Sequence, residues 1–203
     1  MEKNGTRMQR DGSLTVRPLA QDEMVSIYRE RMVHDFPTSE LKPLMAIQRA
    51  LRRGEYRSYG AVDADGIAAY AFFVTARIQG KSVWLFDYYA VEKTRRDQGI
   101  GSMFLRRLQE QVLPEADLVL LEIDNPDAAQ GGEKALRLRR EAFYLRNGLR
   151  DTGVRAVVFQ VSYRILEVPV HRAHAEEEAG EMYRELYRQM LPAPLFRRMI
   201  QIL

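Results

Sequence analysis

Cysteine is absent from this chain of 203 residues, and histidine occurs only three times, as His34, His171 and His174. The first absence excludes disulfide scaffolds, thiol nucleophiles and cysteine-ligated zinc. The second leaves no HExxH spacing, so no metal site is expected and Ser-His catalysis has few candidates. No apolar run approaches the ~20 residues of a membrane span. Met1 to Gly12 is polar and lacks the apolar stretch of a secretory signal. These absences lead us to expect a soluble cytoplasmic protein without a membrane partner. Charge of one sign is also scarce: 31 Lys and Arg against 28 Asp and Glu give a formal net charge of +3. Arginine is mixed with glutamate throughout, so nucleic acid is not an expected partner. A phosphate-bearing small molecule would need only a local basic patch. Hydrophobic residues, at 46%, suffice for a core.

The apolar pattern changes period along the chain. Leu14 to Arg17 alternates and reads as a short strand ending at Pro18. Met24, Ile27, Tyr28 and Met32 recur at helical spacing between Asp22 and His34. Asp35-Phe36-Pro37 breaks that helix. A second helix, capped by Thr38 or Ser39, carries Leu41, Leu44, Met45 and Leu51 and ends at Gly54. Tyr56–Ala64, Ile67–Ile78 and Val83–Val91 read as three strands in an antiparallel meander, with turns at Asp65-Gly66 and Gln79-Gly80-Lys81. Ile100, Phe104, Leu108 and Val112 share one helical face, stopped by Pro114. Leu118–Ile123 is an apolar strand interrupted only by Glu122. Ala135, Leu138, Ala142 and Leu145 form a further helical stripe, closed by Asn147-Gly148. Val157–Val168 reads as one long last strand. The expected architecture is α+β, a mostly antiparallel central sheet flanked by helices, with a C-terminal helical extension.

The segment richest in chemistry is Arg95-Arg96-Asp97-Gln98-Gly99-Ile100-Gly101-Ser102, between an aromatic strand and an amphipathic helix. Glycines allow a tight turn and close approach of a bulky anion. The helix that follows directs its free N–H groups at the loop. Arg96 adds a forked cation. The combination suits a pyrophosphate. It is neither a P-loop, lacking Gly-Lys-Ser/Thr, nor a Rossmann fingerprint, because the first glycine is missing and the preceding strands are antiparallel. Two glycines at a helix start serve packing equally well when considered alone.

Strand, Arg96-x-x-Gly99-x-Gly101, then helix, resembles the acetyl-CoA signature of the GCN5-related N-acetyltransferase (GNAT) family. The later strand and Ala142-Phe143-Tyr144-Leu145-Arg146-Asn147-Gly148-Leu149 resemble that family's closing half, with Gly-Leu where Gly-Phe is common and Arg137 near the place of a frequent Asn. The resemblance covers Leu14 to Val168. It implies the acyl-CoA N-acyltransferase-like fold, a GNAT domain over residues 13–170 after a flexible leader (1–12), and an extension over 171–203. It further implies acetyl-CoA as cosubstrate. The pantetheine arm would lie along Tyr89, Ala90 and Val91, and the pyrophosphate on Arg96, Asp97, Gln98, Gly99, Ile100, Gly101 and Ser102.

Tyr144 then becomes the candidate proton or hydrogen-bond donor to a departing thiolate; otherwise it is a ring packed at a helix end. The candidate base for the acceptor ammonium is Glu122, whose burial in an apolar strand would raise its pKa. Asp124, Asp87 and His34 are alternatives, and a carboxylate paired with arginine is the structural reading of Glu122. Tyr70, Phe72 and Phe73 read as core, and Arg137, Arg139 and Arg140 as a solvated face beside Glu133 and Glu141. With no cysteine to carry an acetyl group, direct attack in a ternary complex is expected, on a small-molecule, amino-acid or peptide amine. A non-catalytic acyl-CoA-binding module is the alternative. The tail stripe of Met182, Leu186, Met190, Phe196 and Ile200 is expected to dock on the domain or on a second copy, as a homodimer.

Overall fold

The structure, a computed structural model, describes residues 14–203. The leader expected over residues 1–12 lies outside them. Eight strands form one sheet, in the order β1-β2-β3-β4-β5-β7-β6-β8. Strand β1 (Thr15–Pro18) lies at one edge. Pro18 belongs to it because an edge strand tolerates a residue without an N–H. Residues 21–35 then form one helical run, from α1 (Gln21–Ile27) through a π-helical turn (Tyr28–Met32) into α2 (Val33–Asp35). Phe36, extended ahead of Pro37, ends it.

Thr38 and Ser39 do not cap the next helix. They enter a 3₁₀ turn (Thr38–Glu40), and α3 (Leu44–Arg52) starts after Pro43. Gly54, at φ +73°, closes α3. The meander β2 (Tyr56–Asp63), β3 (Gly66–Ile78) and β4 (Lys81–Val91) follows as expected. Helix α4 (Ile100–Gln111) returns the chain to β5 (Leu118–Asp124), which runs parallel to β4. Every other pairing in the sheet is antiparallel.

Three further expectations are corrected. In α5 (Gly131–Arg146), Ala135, Leu138, Ala142 and Leu145 face solvent, whereas Glu141 and Tyr144 are buried. Glu141 tolerates burial because it accepts from Arg164 at 2.6 Å. Val157–Val168 is not one strand: β6 (Arg150–Val158) and β7 (Val161–Val168) form a hairpin. Its turn residues, Phe159 and Gln160, have φ of +47° and +70° without the glycine or asparagine that usually marks such a turn. The tail forms α6 (Glu176–Met190) and α7 (Ala193–Met199), and also a short strand, β8 (Ile200–Ile202), that pairs with β6.

The sheet has a core on each face. Under α1, α3 and α6 it gathers Met24, Ile47, Phe72, Leu85, Tyr183 and Leu186. Under α4 and α5 it gathers Phe73, Trp84, Phe104, Leu108 and Tyr144. In the tail stripe, Met182, Leu186 and Ile200 are buried, and Met190 and Phe196 pack partly against the same core. A buried cluster anchors the tail: Glu167 accepts from the backbone N–H of His174 at 3.0 Å, meets its Nδ1 at 3.0 Å, and is bridged by Arg150.

Candidate active site

Strand β4 carries a bulge where the site forms. Phe72 pairs with Tyr88 and Phe73 with Phe86, which leaves Asp87 as the extra residue. A bulge bends its strand and ends regular pairing. Parallel pairing of β4 with β5 accordingly covers only Val83–Phe86 against Leu118–Leu121. Beyond it the strands part, while β5 stays paired on its other edge with β7, Glu122 with Ile165 and Asp124 with Tyr163. A cavity of about 580 Å³ opens at the gap. Asp87 and Tyr88 line it from β4, Glu122 and Asp124 from β5, Tyr144 from α5, and Lys42 and Tyr187 from the opposite face of the sheet.

Tyr144 and Glu122, 22 residues apart in the chain, therefore share one cavity. The Tyr144 side chain is buried, its ring edge-on to Tyr89 and Phe143. Its hydroxyl bonds to none of the described residues, yet none of their buried polar side-chain atoms lacks a partner. The hydroxyl is therefore open to the cavity. Burial pushes its pKa up to about 12, so the phenol keeps its proton across neutral pH.

Glu122 is half-buried, and burial raises its pKa above the usual carboxylate range. It accepts hydrogen bonds from the hydroxyls of Tyr183 at 2.5 Å and Tyr187 at 2.6 Å, which partly oppose that rise. Among the described residues no cation pairs with it, contrary to the structural reading of a carboxylate bound to arginine.

The other acidic candidates are engaged. Asp87 is bridged by Lys42 on one oxygen and accepts from the Tyr56 hydroxyl at 2.5 Å on the other. Asp124 is bridged by Arg140 at 3.0 Å. His34 does not line the cavity; it is exposed, and its carbonyl accepts from Lys93. Tyr70, Phe72 and Phe73 are fully buried core.

The loop from Arg96 to Ser102 does not line the cavity either, but Tyr89 joins the two. Its hydroxyl donates to the Gly101 carbonyl at 2.5 Å, and its ring stacks on Phe104. Gly99, at φ +78°, is the N-cap of α4, and an added Cβ there would meet nothing within 4 Å. The first helical bond runs from the Met103 N–H to the Gly99 carbonyl, so the N–H groups of Ile100, Gly101 and Ser102 have no acceptor within the helix. Left-handed glycine, open space and free donors fit a phosphate-bearing ligand. Arg96 is partly committed: it donates to the Val91 carbonyl and bridges Asp35 at 2.8 Å. Ala90 and Val91 end β4 beyond its pairing with β5, so their backbone borders the gap.

Tyr183, Tyr187, Lys42 and Tyr163 are site residues that sequence reasoning missed. The available signal was a pair of hydroxyls four residues apart beside an apolar stripe, and one carboxylate in an apolar strand in need of donors.

The sequence matches no family model and no curated protein. Solved structures do match. A protein from Bacteroides thetaiotaomicron described as a GNAT-family acetyltransferase superposes with a TM-score of 0.61 at 17% identity, over 85% of this chain and 94% of that one. The chain has the GNAT acetyltransferase fold. The ribosomal-protein-S18-alanine N-acetyltransferase of Escherichia coli matches with a TM-score of 0.51 at 17% identity, over 79% of this chain and 96% of that one. Spermidine N-acetyltransferase from Vibrio cholerae, solved with CoA and spermine, matches with 0.54 at 11%, over 77% and 95%. The parting of β4 and β5, and the glycine loop opening α4, are thus set within a GNAT fold. No described helix is long and apolar enough to cross a membrane.

Proposed function

We propose that this protein is an acetyl-CoA-dependent N-acetyltransferase that moves the acetyl group directly to an amine in a ternary complex. The observation that carries this reading is the cavity at the gap between β4 and β5. It brings a protonated phenol, Tyr144, and a half-buried carboxylate, Glu122, to one space beside an anion-suited helix start. The pyrophosphate of acetyl-CoA would sit on Arg96 to Ser102, and its pantetheine arm along Tyr89, Ala90 and Val91.

An alkylammonium has a pKa near ~10.4 and must lose a proton before it attacks. Glu122 accepts that proton, with its affinity raised by burial. As the C–N bond forms and the C–S bond breaks, charge develops on sulfur, and Tyr144 stabilises it by a hydrogen bond or its proton. Glu40, Asp87, Glu122 and Asp124 line the cavity against Lys42 and Arg140, a balance that favours a cationic acceptor. Asp87 and Asp124 are already paired, so Glu40 and Glu122 supply the unmatched negative charge.

The test is release of free thiol from acetyl-CoA with spermidine, an aminoglycoside and an alanine-leading peptide as acceptors. Turnover with any of them supports the reading. Tight acetyl-CoA binding with no transfer to a broad amine panel would favour a non-catalytic acyl-CoA-binding module.

A further inference from the structure

Helix α6, in the C-terminal extension, reaches the site through two hydroxyls. Tyr183 and Tyr187 are four residues apart and so lie on one helical face, with ring centroids 5.1 Å apart. Both are buried, and both donate to the same oxygen of Glu122, Oε1. Oε2 has no hydrogen-bond partner among the described residues. No buried polar side-chain atom among them lacks a partner, so Oε2 is not enclosed. Glu122 lines the cavity and is half-buried. Its free oxygen therefore faces the cavity.

We propose that Tyr183 and Tyr187 are positioning residues that pin Oε1 of Glu122 and leave Oε2 as the atom that takes the acceptor's proton. The proposal rests on the reading of Glu122 as the base and extends it to the tail of the chain. A hydroxyl donates its one proton, so two donors on Oε1 keep that oxygen an acceptor. An incoming proton is directed to Oε2, on the side from which an acceptor amine would approach. Once Oε2 carries the proton, Oε1 still accepts from both tyrosines and the carboxyl need not rotate. The residue kept ready is a base of raised affinity but fixed orientation, and orientation is what a proton transfer over one hydrogen bond requires.

Other charged and titratable groups also face Glu122: Lys42 from the segment before α3, Asp87 from β4 and Tyr163 from β7. Lys42 and Asp87 pair with each other, so their opposite effects on Glu122 largely offset. The tyrosines are the groups that bond to it directly.

The experiment compares wild type with Tyr183→Phe, Tyr187→Phe and the double variant. Phenylalanine keeps both rings in the core. The Glu122 carboxyl is titrated by carbon-13 NMR and identified by its loss in Glu122→Gln. The pH dependence of kcat/KM is measured in parallel with whichever panel amine turns over. Each lost donor removes stabilisation of the carboxylate, so its titration and the acid limb of kcat/KM should both move up, by about one pH unit per tyrosine. Acetyl-CoA affinity should stay at the wild-type value.

A purely structural role for the tyrosines would lower Tm and leave both titrations in place, and that result overturns the proposal. If Glu122→Gln leaves the acid limb unchanged, the base reading fails, and the positioning role fails with it. If Glu122→Gln abolishes the limb while the tyrosine variants leave it unmoved, the positioning role alone fails. Either single variant reads the shift if the double variant aggregates.

Discussion

Replacing Tyr144 with phenylalanine separates chemistry from packing at this site. The ring contributes the buried surface and the edge contacts to Tyr89 and Phe143, and phenylalanine keeps them. The hydroxyl bonds to none of the described residues, so removing it leaves no partner unpaired. Stability should change by less than about 1 kcal/mol, because the usual penalty of orphaning a buried group does not arise. Acetyl-CoA affinity should also hold. What is lost is a donor to the sulfur as it becomes a thiolate, an interaction that exists only near the transition state. General acid assistance of this kind is worth roughly 10²–10⁴-fold, or about 3 to 5 kcal/mol of barrier. The measurement is the single-turnover rate under saturating acetyl-CoA, with the melting temperature recorded on the same preparation. An acyl donor with a more acidic thiol should recover part of the lost rate, because a better leaving group needs less help. A wild-type rate where chemistry limits turnover would refute the assignment. So would a rate loss matched by a large drop in stability, which would make Tyr144 a packing residue.

Three further outcomes follow from particular contacts. Gly99→Ala places a side chain at φ +78°, at a cost of about 1–2 kcal/mol, and into the open space suited to the pyrophosphate. Calorimetry should show weaker acetyl-CoA binding, whereas Gly80→Ala, at φ +81° in the β3–β4 turn, should show comparable strain and unchanged binding. Glu167→Ala leaves Arg150 and the buried His174 without their carboxylate, so urea denaturation should show a loss of about 3–5 kcal/mol. A loss below about 1 kcal/mol would show that this cluster does not anchor the tail. Glu23 and Glu178 are each held down to about 2, Glu23 by Arg17 and the Ala20 N–H, Glu178 by Arg172 and Lys81. Their folded pKa values lie below the unfolded one. Their contribution is therefore complete above about pH 4.5 and lost as pH falls toward 2. Denaturation at pH 6 and pH 3 should show that loss, and Glu178→Gln should reduce it.

Local pattern alone determined much of this protein. The 3.6-residue period of Ile100, Phe104 and Leu108 places α4, because a helix buries one face and these residues fill it. The alternation and turn residues of the meander place β2, β3 and β4, since Asp65-Gly66 and the Gln79-Gly80 turn admit the backbone that tight hairpins need. The glycine loop was legible because a left-handed N-cap at Gly99 demands that residue type. Only the tertiary structure decided the rest. Leucines 138 and 145 look like a buried stripe, yet α5 turns Glu141 and Tyr144 inward, because Arg164 on β7 supplies the ion pair that makes a buried glutamate tolerable. Strand β8 exists because β6 offers an edge to three residues that lie more than 40 positions later. Glu122 finds its donors 61 and 65 residues downstream. Periodicity reports which face of an element is apolar. Which partner meets that face, and which carboxylate is thereby held, depends on contacts between distant segments that no local window contains.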